Sequence, residues 1–141
     1  MLKKLLILLL TAFAITSAFA RPTVYMLAPA RVDIVIPAAA NGAALGAEWI
    51  KRAIVNGGRQ RKWTVAGERP GVVTLQFSKS HDKNQVVVDV AYDDKGFQIR
   101  YVSSVGMMYR QEGELVRIHP YYNKWVDDLG NDIEAAARRQ P

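Results

Sequence analysis

The chain has 141 residues and a formal net charge of +6, with 19 lysines and arginines against 13 aspartates and glutamates, and it contains no cysteine. That length suits one domain able to bury a core without staples, and the missing cysteine excludes disulfides, zinc–thiolate centres and thiol nucleophiles. The charge is mildly basic, so contact with anionic lipid or wall polymer is permitted but not demanded.

Residues 1–20 read as an export signal. Lys3 and Lys4 precede an apolar run from Leu5 to Ile15, and small residues at Ala18 and Ala20 fit cleavage before Arg21. The run is too short for a good membrane span. The expected product is therefore a single domain over 21–141, periplasmic or secreted, with no transmembrane segment. Loss of Lys3 and Lys4 leaves 17 basic against 13 acidic side chains.

Val32, Ile34 and Ile36 alternate with Arg31, Asp33 and Val35 among prolines at 22, 29 and 37, which predicts a short edge strand over Arg31–Ile36. Asn41 is a candidate helix N-cap. From Ala43 the apolar period becomes helical, through Leu45, Trp49, Ile50, Ala53 and Ile54, and Asn56-Gly57-Gly58 reads as the stop. Four strands follow with one apolar face each: Lys62–Ala66 with Trp63 and Val65; then Val73, Leu75 and Phe77; then Val86, Val88, Val90 and Tyr92; then Phe97, Ile99 and Tyr101. Arg69-Pro70-Gly71 and Asp93-Asp94-Lys95-Gly96 supply turns. Beyond Ser103-Ser104 the pattern weakens into an irregular loop through Gly106, Met107, Met108 and Gly113, with a short extended piece at Leu115–Ile118.

The last helix is the clearest. Pro120 suits the first helical position, and Tyr122, Trp125, Val126, Leu129, Ile133, Ala136 and Ala137 make one apolar stripe. Gly130 interrupts it at a cost of about 1 kcal/mol relative to alanine. These elements predict an α+β fold: a two-layer domain in which two helices cover one face of a four- to five-stranded antiparallel sheet, in the order β-α-β-β-β-β-α. The open face carries Thr74, Gln76, Asp89, Gln98 and Arg100 with Val72, Val87 and Val102.

Material for catalysis is sparse. A serine triad would have to draw on His81 or His119, Ser103 or Ser104, and Asp82 or Asp89, with no nucleophile-elbow sequence to assemble it. Asp93-Asp94 and the trio Asp127, Asp128 and Asp132 offer hard oxygen ligands without EF-hand spacing. No catalytic, cofactor-binding or metal site is therefore expected. The most suggestive charge feature is Lys51, Arg52, Arg59, Arg61, Lys62 and Arg69 around Trp63, which could meet lipid phosphates, lipopolysaccharide or an acidic protein. Nucleic acid is not an expected partner, because the strand aromatics do not match an RNA-binding sheet.

The run Ile118-His119-Pro120-Tyr121-Tyr122-Asn123-Lys124-Trp125-Val126, with Leu129 and Ile133 behind it, resembles the IHxxYNxW(I/V)xxL ending of small uncharacterised exported proteins and lipoproteins of Gram-negative bacteria. Ala53-Ile54, Trp63, Lys79-Ser80-His81 and Ile99-Arg100-Tyr101-Val102-Ser103-Ser104 are similar to upstream features of that group. The resemblance implies an envelope location and a shared fold, and no activity. The chain lacks the acylated cysteine of the lipoprotein members. Read physically, His119 is placed to cap the helix, the alternative being ligand binding or proton transfer. Tyr122 and Trp125 are expected to anchor the helix to the sheet, and Asn123, one turn from Asp127, to form a surface pair with it.

The functional expectation is an exported, non-enzymatic periplasmic protein, a binding or adaptor module whose partner is an unknown envelope protein. The alternative is a basic-patch protein that associates with anionic lipid, lipopolysaccharide or wall polymer; a small-ligand or enzymatic role comes third. The candidate interaction residues are Arg59, Arg61, Lys62 and Arg69 for the patch, and Val87 and Val102 for the open sheet face.

Overall fold

The computed structural model describes residues 21–35 and 46–139, so the export signal and the Asn41 cap lie outside the described residues. The elements are β1 (Val24–Tyr25), β2 (Val32–Asp33), α1 (Gly46–Gln60), β3 (Thr64–Arg69), β4 (Val72–Lys79), β5 (Asn84–Tyr92), β6 (Gly96–Val105), β7 (Arg110–Glu112), β8 (Leu115–Ile118) and α2 (Tyr121–Arg138). They form an α+β fold with two antiparallel sheets, one of five strands in the order β2-β6-β5-β4-β3 and one of three in the order β1-β8-β7.

Period-two alternation decides which face of the large sheet meets the helices. Val73 stands opposite Val90 and Leu75 opposite Val88, and with Val86, Phe97 and Ile99 they are buried in one core with Ile50, Ala53 and Ile54 of α1 and Val126, Leu129, Ile133 and Ala137 of α2. Each of the valine, leucine, isoleucine and phenylalanine side chains contributes about 1.5–3 kcal/mol by leaving water. A bulge between Val87 and Val88 lets Val102 of β6 stand out of register, half exposed on the opposite face.

Three expectations are corrected. The first helix does not stop at Gly57-Gly58 but continues to Gln60, because both glycines are contact points. A Cβ on Gly57 would lie 2.7 Å from the Cα and backbone N of Ile133, so α1 and α2 cross there at a spacing only hydrogen permits. The third strand starts after Trp63 and runs through Arg69, with a bulge at Ala66. The extended piece expected at Leu115–Ile118 is β8, but the loop expected before it holds a further strand, β7, and the two form a hairpin that pairs through β8 with β1 in a second sheet; β7 is three exposed residues, too brief for an alternating pattern to register.

The N-terminal segment links the two sheets. Asn123 does not pair with Asp127: its Oδ1 accepts the Leu27 N–H at 2.9 Å and its Nδ2 donates to the Tyr25 carbonyl at 2.9 Å, so the side-chain amide acts as a short strand partner for the backbone. At the other end Arg31 bonds Asp33 and Asp93. Asp93 also accepts the N–H groups of Lys95 and Gly96, and the Arg31 guanidinium, helped by those turn amides, pulls its carboxyl down to about 2. Replacing Asn123 by alanine is expected to lower the unfolding free energy by about 1–2 kcal/mol and to speed cleavage near Leu27. Urea melts and limited proteolysis read both effects; an unchanged cleavage rate would show that the amide does not hold the segment.

Candidate functional site

The site begins where α1 ends. Trp63 N–H donates to the Gly58 carbonyl at 3.0 Å and Lys62 N–H to the Arg59 carbonyl at 3.1 Å, the two bonds of a Schellman cap. The left-handed position of that cap normally holds glycine; here it is Lys62, with φ of 65°. A side chain in that conformation costs about 1 kcal/mol. The cap turns the chain so that Arg61 and Lys62 lie beside α2 while Trp63 drops inward, 2% exposed.

From Trp63 a row of rings runs outward. Centroid separations are 5.4 Å from Trp63 to Phe77, 4.8 Å from Phe77 to Trp125, 5.8 Å from Trp125 to Tyr121 and 4.7 Å from Tyr121 to His119. Tyr121 and Trp125 share a face of α2 because they are four residues apart, and Phe77 reaches them from the end of β4. Rings and turn enclose a trough of about 380 Å³ between Gln60–Trp63 and Lys124–Asp128.

Cations stand along the row of rings. Lys79 Nζ stands 5.5 Å from the Tyr121 ring centre and 6.0 Å from that of Trp125. Arg61 bonds Asp132 and, at 3.4 Å, Asp128, which Lys124 also meets at 2.9 Å. Two carboxylates therefore tie down Arg61 and Lys124, whereas Lys62 and Lys79 make no ion pair among the described residues. The trough is lined by the Phe77 and Trp125 rings and by Lys62, while Lys79 stands against Trp125 and Tyr121 next to it.

The remaining candidates are placed elsewhere, so the basic cluster is not one patch. Arg69 lies on the open sheet face and meets Asp89 at 2.7 Å; burial works to raise the Asp89 carboxyl, but the bonds from Arg69 and Thr74 outweigh it and hold it below its ordinary range. Lys51 pairs with Glu68 at 2.6 Å, Arg52 covers the Trp49 ring, and Arg59 is exposed in the last turn of α1. Val87 and Val102 lie on that same open face. Tyr122 is buried against Tyr101, centroids 5.6 Å apart, and burial pushes its hydroxyl well above the ordinary tyrosine value.

His119 Nδ1 accepts the Tyr121 N–H at 3.1 Å, which satisfies one free donor at the start of α2, and Pro120 is the capping residue rather than the first helical one. His81 sits at the β4–β5 turn, where Ser80, His81 and Asp82 all have positive φ. Neither imidazole has a titratable hydrogen-bond partner among the described residues. No group of three acidic or histidine side chains among them is spaced to hold a metal.

The sequence reading found Lys62, Arg61 and Trp125 separately but missed their convergence, and it missed Lys79, Phe77 and Tyr121 as parts of a surface. One signal was present: two aromatics at i and i+4 opening a helix, only one of which the core stripe needs. Comparison with protein-family models, curated proteins and solved structures finds no match to this chain.

Proposed function

We propose that this chain is an exported, non-enzymatic binding module of the cell envelope and that the aromatic trough is its contact surface. One observation carries the reading: two cations without ion-pair partners among the described residues, Lys62 and Lys79, stand beside the aromatic row of α2 and β4, a combination that gives both apolar area and charge selection. The isolation of both imidazoles supports a binding role over proton transfer. A competing surface is the open sheet face, where Val102 is 47% exposed beside half-buried Val87 and would suit a protein partner.

Co-sedimentation with anionic vesicles, wall sacculi and membrane-protein fractions across a salt series tests this. The protein is expected to pellet with at least one fraction, and Lys62→Glu with Lys79→Glu to reduce pelleting about tenfold or more while thermal melting stays cooperative. Pelleting that ignores this pair but is lost in Val102→Glu would move the contact surface to the sheet.

A further inference from the structure

We propose that a second cavity, on a different face of α2 from the trough and sharing no lining residue with it, binds a small organic ammonium carried on a short apolar body. Three parts of the chain line it: the N-terminal segment between Leu27 and Val32, Phe97 and Ile99 of β6, and α2 between Asn123 and Glu134. Its volume is about 270 Å³. The N-terminal wall is fixed along its length. Asn123 holds the backbone of Tyr25 and Leu27, Gln98 Nε2 donates to the Pro29 carbonyl at 3.3 Å, and Arg31 is anchored on Asp33 and Asp93. The cavity is therefore built before any ligand arrives, as small-molecule sites generally are.

The floor is apolar, because it is the margin of the core. Phe97, Ile99 and Val126 are buried there, with Val32 beside them. Gly130 belongs to the same wall. Helix propensity disfavours glycine, and of the three glycines in helix interiors Gly57 and Gly58 are contact points, where a Cβ would lie 2.7 Å from Ile133 backbone and 3.2 Å from Leu75 Cδ1. Gly130 has no such neighbour. A Cβ there would stand 3.7 Å from Ile99 Cδ1, and both residues line the cavity, so a side chain at 130 would take up cavity space.

Charge selects the ligand. Among the described residues the lining holds one cation, Arg31, and two carboxylates, Asp127 and Glu134. Arg31 already faces two carboxylates, Asp33 at 2.8 Å and Asp93 at 2.7 Å. Glu134 shares its charge with Arg138 at 2.6 Å, whereas Asp127 makes no ion pair among the described residues. An anion would thus meet uncompensated negative charge and find the guanidinium engaged. Asp127, Asn131 and Glu134 share one face of α2 at i, i+4 and i+7, and Asp127 and Asn131 are exposed while the floor is buried. That order suits an amphiphile whose apolar end covers Ile99 and whose ammonium stays near water beside Asp127.

The test is an NMR titration of the protein with hexylammonium chloride, 1-hexanol and sodium hexanoate, which share an apolar body and differ in charge. Hexylammonium is expected to shift the Ile99 δ1 and Val126 methyl resonances, 1-hexanol to bind about fivefold more weakly, and hexanoate to leave them unmoved. Asp127→Asn with Glu134→Gln removes charge and keeps shape; it should lower hexylammonium to the affinity of 1-hexanol and leave 1-hexanol as it was. Gly130→Leu should abolish the shifts for both while thermal melting stays cooperative, and should that variant not fold, the carboxylate pair decides. Equal response to all three compounds, hexylammonium binding indifferent to the carboxylate pair, full binding by a folded Gly130→Leu, or no movement of Ile99 and Val126 with any compound would overturn the assignment. The trough reading stands or falls separately, on pelleting by the Lys62 and Lys79 variants.

Discussion

Alanine at Gly57 is expected to destabilise the fold by about 2 kcal/mol or more, whereas alanine at Gly130 should stabilise it by up to about 1 kcal/mol. Both glycines sit inside helices, and helix propensity alone favours alanine at each. The difference lies in what a methyl group would meet. At Gly57 it meets the backbone of α2, at 2.7 Å from Ile133 Cα and N and 2.9 Å from the Asp132 carbonyl carbon, and backbone cannot rotate away. The two helices would have to separate, loosening Ile54, Leu129 and Ile133 together. At Gly130 the nearest atom is Ile99 Cδ1 at 3.7 Å, an ordinary contact. Urea melts of the two variants, which should move in opposite directions, check the helix crossing. Equal shifts would show that the crossing is wider than described.

Tyr122→Ala should be the most damaging of the substitutions considered, at about 3–5 kcal/mol. Its ring is 1% exposed, lies edge-on to Tyr101 and is among the largest fully buried side chains, so truncation leaves a cavity that the rigid sheet cannot collapse into. The neighbouring Tyr121→Ala should cost far less because that ring is half exposed. Chemical denaturation separates the two tyrosines, and comparable losses would mean that the Tyr121 ring is also part of the core.

Much of the fold was legible because its elements are long enough for their periods to show. Val73, Leu75, Val86, Val88 and Val90 alternate cleanly, and the α2 stripe from Tyr122 to Ala137 names the face that becomes buried. What escaped was set by distant neighbours. Gly57 looks like a helix stop until Ile133 is seen against it, and β7 pairs with β8 over only three positions. Asn123 looks like a partner for Asp127 until the Tyr25 and Leu27 backbone occupies its amide. The candidate site escaped for the same reason. Alternation assigned Phe77 and Trp63 to the core side, but not where along that side helix cover ends, and the trough opens at that margin beside Trp125. The basic cluster dissolved because sequence proximity ignores the carboxylates that Glu68, Asp89 and Asp132 bring from other elements.

The claim that the trough is the contact surface is tested most directly by hydrogen-exchange footprinting of the protein with and without the envelope fraction that retains it. Added protection is expected at Gln60–Trp63, Lys79 and Tyr121–Trp125, with the amides around Val87 and Val102 unchanged. Protection confined to Val87, Val102 and their strand neighbours, with the trough unaffected, would contradict it and make the open sheet face the functional surface.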